Sequence, residues 1–353
     1  MSATIAAVDT RLVRIPLSRP WGADVTEIHV IEVIVTDSEG QAGFGFSWTP
    51  TIGAHAVHQL LAHDITDFAL GKPADPQIWQ SAWAHLHEAG GGGVTTIALA
   101  GLDLALWDLR ARRAGRSVTD LIGRVHESLP AYGSGVNLHY TLEELVAQVE
   151  RWVADGFQAV KFKVGSPDIA RDVERVAAVR EVLGPNRTMM IDANQRWDLD
   201  KATSAMEQLV RFEPAWIEEP LRADDVAGHA ELRRCIDVPI ALGENRHTLF
   251  QFRDAIDAGA VDVIQPNIVR VGGITPFLEI AALAADRGVG LAPHLLPELS
   301  SQLAYTLPVA TWVEDVEDAG FGELGALVEP TGLSIADGVA TGGPALGLGI
   351  RFR

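Results

Sequence analysis

The residues whose types and spacing could do chemistry begin with Lys161 and Lys163, in Ala159-Val160-Lys161-Phe162-Lys163-Val164-Gly165. The chain has only four lysines, at positions 72, 161, 163 and 201, and two of them fall in this one strand-like run. Strand side chains alternate faces, so both lysines point one way and Phe162 the other. The flanking Ala159, Val160 and Val164 read as core, and burying an ammonium is expensive unless it is paired. Desolvation and a second cation nearby lower a lysine pKa toward neutrality, which is how lysine becomes a general base. Two solvated lysines on an edge strand would give the same run of letters, so other residues have to decide.

Asp192, Glu218 and Glu244 supply the next observation, at equal spacings of 26 residues (218 − 192 and 244 − 218). Each stands just past a strand-like run, in Asp-Ala-Asn, Glu-Glu-Pro and Gly-Glu-Asn. A lone carboxylate in an acidic chain is ordinarily a solvated surface acid. Three in register, preceded by two lysines and followed by His294, point instead to one mouth, where they would repel one another unless a cation sits among them. Oxygen donors without sulfur or histidine favour Mg²⁺ over zinc or copper. Glu218 and Glu219 are adjacent and face opposite ways, so only one can belong to that triad; the other supports it or pairs with a cation.

Elements that could hold these residues follow from the texture of the chain. From about residue 128, strand-like runs end at Gly135, Val164, Asn194, Pro220, Asn245, Asn267 and His294, with amphipathic helix-length segments such as 142–154, 169–183 and 276–287 between them. A strand every 25–30 residues, each followed by a helix, predicts a parallel α/β sheet closed into a barrel, with the site at the C-terminal strand ends. Those ends carry Lys161 and Lys163, Asp192 and Asn194, Glu218, Glu244, Asn267, His294 and Glu314. Before residue 125 the pattern is α+β: strands over 3–15, 28–36 and 41–47, then helices interrupted at Gly90–Gly93. Leu17 to His29 and Ser47 to Thr51, with Trp21 and Trp48, read as irregular segments of the kind that form lids. The expected domains are a cap over 1–125, completed by about 320–353, and a barrel over 126–319.

The 353 residues suffice for two domains, with 47% apolar content for a large core. A formal charge of −19, from 47 acidic and 28 basic residues, argues against nucleic acid and anionic membranes as partners. The single cysteine, Cys235, excludes an intrachain disulfide and suits a reducing cytoplasm. No secretory signal and no run long enough to span a bilayer is legible.

Taken together, Lys161-x-Lys163 placed 29 residues before Asp192, then Glu-Glu-Pro, Gly-Glu-Asn and a histidine 50 residues past Glu244, resemble the enolase superfamily and its mandelate racemase subgroup. The resemblance covers most of the chain and implies a modified (β/α)₇β TIM-like barrel with an α+β capping domain. It implies Mg²⁺ on Asp192, Glu218 and Glu244, Lys163 as base on one face of a small hydroxy-carboxylate, and His294 on the other. Lys161 would tune Lys163, a protonated Glu314 would hydrogen-bond the substrate carboxylate, and Asn194, Trp21 and Trp48 would contact substrate. Homo-oligomers are expected for such a protein.

One position departs from that pattern. The family pairs its histidine with an aspartate 27 residues earlier, and here Asn267 occupies the place. Asparagine gives no anionic support to imidazolium, so a lower pKa for His294 is expected. That suits donation to a leaving hydroxyl. Similarity around Val271-Gly272-Gly273 and Leu291-Ala292-Pro293-His294 points to sugar-acid dehydration giving a 2-keto-3-deoxy acid, with Asp24, Thr26 and His29 as polar lid residues. Racemisation, epimerisation or lactone cycloisomerisation through the same enolate step is the alternative.

Overall fold

Three antiparallel strands, β1 (Ile5–Trp21), β2 (Val25–Asp37) and β3 (Ala42–Thr49), open the computed structural model, which describes residues 3–22 and 24–353. Ala23, in the expected lid segment, and the first two residues of the expected cap lie outside the described residues. The lid over Leu17 to His29 is instead the arm of a hairpin, in which β1 and β2 run on to Trp21 and Val25 and turn beside Gly22 at φ +74°. Pro16 and Pro20 survive in β1 because it is the edge of the sheet, where a missing N–H breaks no ladder, and the register slips between Pro16 and Trp21. β3 likewise continues through Trp48 to Thr49, so of the stretch Ser47 to Thr51 only Pro50 and Thr51 are irregular.

The helix Val94–Arg113 presses on this sheet. Gly43 and Gly45 permit the approach, since a Cβ at either would overlap the backbone of Ala105. Ser47 Oγ donates to Ile97 O at 2.6 Å.

Eight strands then alternate with seven α-helices among the described residues: β4 (Ser128–Ser134), β5 (Ala159–Lys163), β6 (Thr188–Asp192), β7 (Ile217–Glu218), β8 (Ile240–Leu242), β9 (Val263–Ile264), β10 (Gly290–Leu291) and β11 (Val313–Val316). Neighbours from β4 to β10 pair in parallel, and β11 returns to pair with β4. Between β10 and β11 the seam is bridged by Thr311 Oγ1 donating to Leu291 O. The result is a (β/α)₇β barrel, most of whose strand residues are buried, with polar side chains among them toward the C-terminal ends.

The glycine-rich segment after residue 320 does two things. A hairpin, β12 (Leu333–Ala336) and β13 (Val339–Gly342), joins the barrel sheet antiparallel to β4. Beyond it the chain reaches the N-terminal sheet, where Phe352 packs edge-on against Phe46 and Phe321 at centroid distances of 5.4 and 5.0 Å. Phe352 N donates to Glu32 Oε1 at 3.1 Å, and Arg11 Nη2 donates to Phe352 O at 3.1 Å.

A second clasp holds the N-terminal helices to the barrel. Buried Asp103 accepts from Thr275 N at 2.9 Å and Thr275 Oγ1 at 2.6 Å, satisfying the N-terminus of the helix Ile274–Arg287. Trp107 Nε1 donates to the same hydroxyl, and Trp79 Nε1 donates to Gly272 O. Among the described residues no helix is long and apolar enough to cross a membrane.

Candidate functional site

At the C-terminal ends of the strands a cavity of about 150 Å³ is lined by Lys163, Asn194, Glu244, Arg270, His294, Leu295 and Glu314 from the barrel and by Trp21, Trp48 and Pro50 from the cap. Larger apolar space of about 630 Å³ lies elsewhere, around Trp216, Val263 and Trp312 near the opposite strand ends, and contains none of the expected site residues. The strand-end rule, not size, therefore locates the chemistry.

Both lysines of β5 point inward, as alternation requires. Lys161, 1% exposed, donates to Glu218 Oε1 and Oε2 at 2.8 and 2.9 Å and pairs with Glu314 Oε1 at 2.7 Å. Burial opposes its charge, but the two carboxylates outweigh that and hold its pKa well above the ordinary value. Lys163 pairs with Asp192 Oδ2. Here too burial is outweighed by the neighbouring carboxylate, so its pKa is raised rather than lowered by Lys161 as expected from sequence.

The triad comes together as its spacing implied: Asp192, Glu218 and Glu244 each offer a carboxylate oxygen within 4.8 Å of the others. Burial and the Asp192 charge push Glu218 up to about 8 despite Lys161. Glu244 Oε2 is buried without a hydrogen-bond partner, His294 Nε2 standing 3.0 Å away but out of alignment. Converging carboxylate oxygens, one without a partner and one whose charge burial and its acidic neighbours disfavour, fit a hard divalent cation in the middle.

Glu314 differs from its expected protonated form. Burial would raise its pKa, but Lys161 and His294 bring it down to about 2, so it is an acceptor. Ser134 Oγ donates to its Oε1 and Leu295 N to its Oε2, both at 2.8 Å.

His294 also departs from expectation. Burial lowers its pKa, yet the adjacent Glu244 carboxylate raises it above the ordinary value overall. Asn267 acts at the other ring nitrogen. Its Oδ1 accepts from Val269 N and Arg270 N, both at 3.1 Å, which turns its NH₂ group toward His294 Nδ1 at 3.2 Å. An amide donor there requires a lone pair on Nδ1, so in the neutral ring the hydrogen-bond network assigns the proton to Nε2. An aspartate in this place would accept from Nδ1–H and leave Nε2 as the base.

Glu219, expected to support the triad or pair with a cation, accepts from Asn245 Nδ2 at 2.7 Å while its Oε1 has no partner. Its φ of +37° is the strained region that turns it away from Glu218. Asn194, at φ +43°, closes over Asp192, its N–H donating to Oδ1 at 2.8 Å. The polar lid residues are not in the cavity: Asp24 and Thr26 are exposed, and His29 is occupied by Glu27 and Thr51 O. Two indoles and a proline form that wall instead.

Three site residues were missed. Gln265 Nε2 donates to Glu218 Oε2 at 2.7 Å; it lies two residues before Asn267, on the same face by period-two alternation. Ser134 ends β4, where the strand-end rule would have found it. Arg270 sits on a turn past β9 and leaves no periodic trace.

Comparison with known proteins agrees with this geometry. Residues 2–123 match the N-terminal domain of mandelate racemase/muconate lactonizing enzymes, and residues 144–353 match the enolase C-terminal domain-like family. A 3,6-anhydro-alpha-L-galactonate cycloisomerase of Streptomyces coelicolor is 37% identical over 98% of this chain and 96% of its own length. An L-talarate/galactarate dehydratase of Salmonella typhimurium is 37% identical over 83% of this chain and 74% of its own. Among solved structures, a racemase from Streptomyces coelicolor with bound magnesium superposes with a TM-score of 0.92 at 35% identity, covering 99% of this chain and 97% of that one. With both domains matched and the barrel mouth built as its motifs implied, the chain belongs to the mandelate racemase/muconate lactonizing enzyme family of the enolase superfamily.

Proposed function

We propose that the protein removes the proton α to the carboxylate of a sugar acid and expels the β-oxygen, giving a 2-keto-3-deoxy acid. The observation that carries this reading is the Asn267–His294 contact, which turns a His294 N–H donor rather than a base toward the substrate, in one cavity with Lys163. Lys163 comes from β5 and His294 follows β10, so they approach the cavity from different sides of the barrel.

Asp192, Glu218 and Glu244 would hold Mg²⁺. When bound, it supplies positive charge against the second negative charge that α-deprotonation places on a carboxylate, and it neutralises the Asp192 group that keeps Lys163 protonated. Lys163, with burial and the Lys161 charge then favouring its free amine, takes the α-proton. The electron pair left behind forms the Cα–Cβ double bond as the Cβ–O bond breaks. The ammonium of Lys163 returns its proton to the leaving oxygen, to which the neutral His294 ring donates a hydrogen bond from Nε2 without giving up that proton, and the enol product becomes the 2-keto acid by protonation at Cβ. Lys161 positions Glu218 and Glu314, while Glu314 and Asn194 accept from and orient substrate hydroxyls. Trp21 and Trp48 cover the far side.

If the leaving oxygen is a hydroxyl, water is lost; if it belongs to a ring ether, the ring opens without change of mass. A relative aligned over nearly the whole chain is a cycloisomerase, and the indole-lined wall suits the apolar face of a ring, so ring opening is the second reading. Racemisation is disfavoured because it needs a base at His294.

Sugar acids incubated with Mg²⁺-loaded protein should give 2-keto acid detectable with semicarbazide. Proton NMR in D₂O that showed α-deuterium exchange without keto-acid formation would overturn the reading in favour of epimerisation, and the mass of the product separates water loss from ring opening.

A further inference from the structure

Arg270 is the one arginine lining the cavity, and it has an unusual set of partners. Nη1 donates to Asn245 Oδ1, a neutral amide, and among the described residues the guanidinium enters no ion pair. Its remaining N–H groups neither meet a protein acceptor nor are sealed from solvent. The other cation lining the cavity, Lys163, pairs with Asp192, and Lys161 behind it is committed to Glu218 and Glu314. In a chain of net charge −19, a half-buried cation left without a carboxylate inside an acid-rich site is a deliberate surplus.

The surplus is also held still. Asn245 Nδ2 is fixed between Glu219 Oε2 at 2.7 Å and Glu244 Oε1 at 3.1 Å, so its Oδ1 has only one way to face, toward Arg270. On the backbone side, Arg270 N is bonded to Asn267 Oδ1 and Arg270 O to the His247 ring. A guanidinium anchored at one nitrogen presents the rest of its planar fork, which matches a carboxylate in two parallel hydrogen bonds. Ordering it in advance removes much of the entropic penalty of binding.

We propose that Arg270 anchors a second carboxylate at the far end of the substrate, so that the preferred substrate is a dicarboxylic sugar acid rather than a monocarboxylic one. This rests on the reading that the cavity binds a sugar acid, but not on the fate of its α-proton. The reacting carboxylate is already served by the triad at the barrel axis, and the relatives include enzymes named for both kinds of acid. Arg270 is thus a specificity residue that discriminates between them.

Calorimetry on the Mg²⁺-loaded full chain, with galactarate and galactonate as probes, tests this. The wild type should bind galactarate more tightly, and Arg270→Gln should weaken galactarate about 10- to 100-fold while galactonate stays within about threefold, the size of a charged hydrogen-bond pair. Arg270→Lys keeps the charge and a donor to Asn245 but loses the fork, so it should fall between. Equal weakening of both acids, or no binding of galactarate by the wild type, would overturn the proposal. Arg270-dependent binding of galactarate without any α-proton exchange would sustain it and sink the proposed reaction instead.

Discussion

At the scale of single residues, the two ends of the proton path make separable predictions. Lys163→Ala should abolish α-proton exchange in D₂O while Mg²⁺ binding, followed by calorimetry, persists; exchange that survived would make His294 the first base. Asn267→Asp keeps an oxygen for the Val269 and Arg270 amides but offers a second one to His294 Nδ1. It should move the ring proton to Nδ1, lower elimination by about 100-fold through loss of the Nε2–H donor, and bring in α-epimerisation visible by NMR. The identity of these residues was legible because strand-end positions in a βα repeat share one mouth. Their protonation was not. Lys161 draws its charge partners from 57 and 153 residues away (218 − 161 and 314 − 161), and the sequence places no carboxylate beside Lys163 until β6 pairs with β5.

Among the elements, the contact of the Val94–Arg113 helix with the Ile274–Arg287 helix sets how the cap sits over the barrel. Burial is the main reason that Asp103 has a pKa of about 7, above the 3.8 of an unperturbed aspartate, its bonds to Thr275 working the other way. The folded state therefore holds this proton more tightly than the unfolded chain. The stability this contributes is fully present below about pH 4 and lost as pH rises through about 7. Asp103→Asn, which cannot ionise, should lose less Tm between pH 4 and 8 than the wild type; parallel Tm profiles would rule out the linkage. Gly45→Ala tests the other face of the same helix, where a methyl would strike the Ala105 backbone, and should lower stability by about 3 kcal/mol in urea melts. Periodicity revealed this helix, but its partner surfaces depend on glycines and a buried acid that carry no periodic signal. The extended hairpin arm was misread for a related reason, since prolines that break most strands are harmless at a sheet edge.

For the whole molecule, the decisive feature is that one buried cluster spans cap and barrel, beside a second that is confined to the cap. Phe46, Trp48, Phe321 and Phe352 belong to the same buried cluster as the barrel strands. Phe352→Ala should remove about 3–5 kcal/mol and, by loosening the sheet that carries Trp21 and Trp48, raise KM more than it lowers kcat. Unfolding monitored by tryptophan fluorescence and by circular dichroism gives the first number, steady-state kinetics the second. The alternation of strand and helix was readable as a barrel; that the chain beyond residue 320 first adds a hairpin to β4 was not, because β13 pairs with a strand some 200 residues earlier. The Phe46–Phe352 contact also has a consequence for biosynthesis. Phe352 is made 306 residues after Phe46, so at ~5–20 residues per second the N-terminal sheet waits roughly 15–60 s on the ribosome with that face uncovered. Until then the face of the nascent cap that Phe352 covers stays open to water.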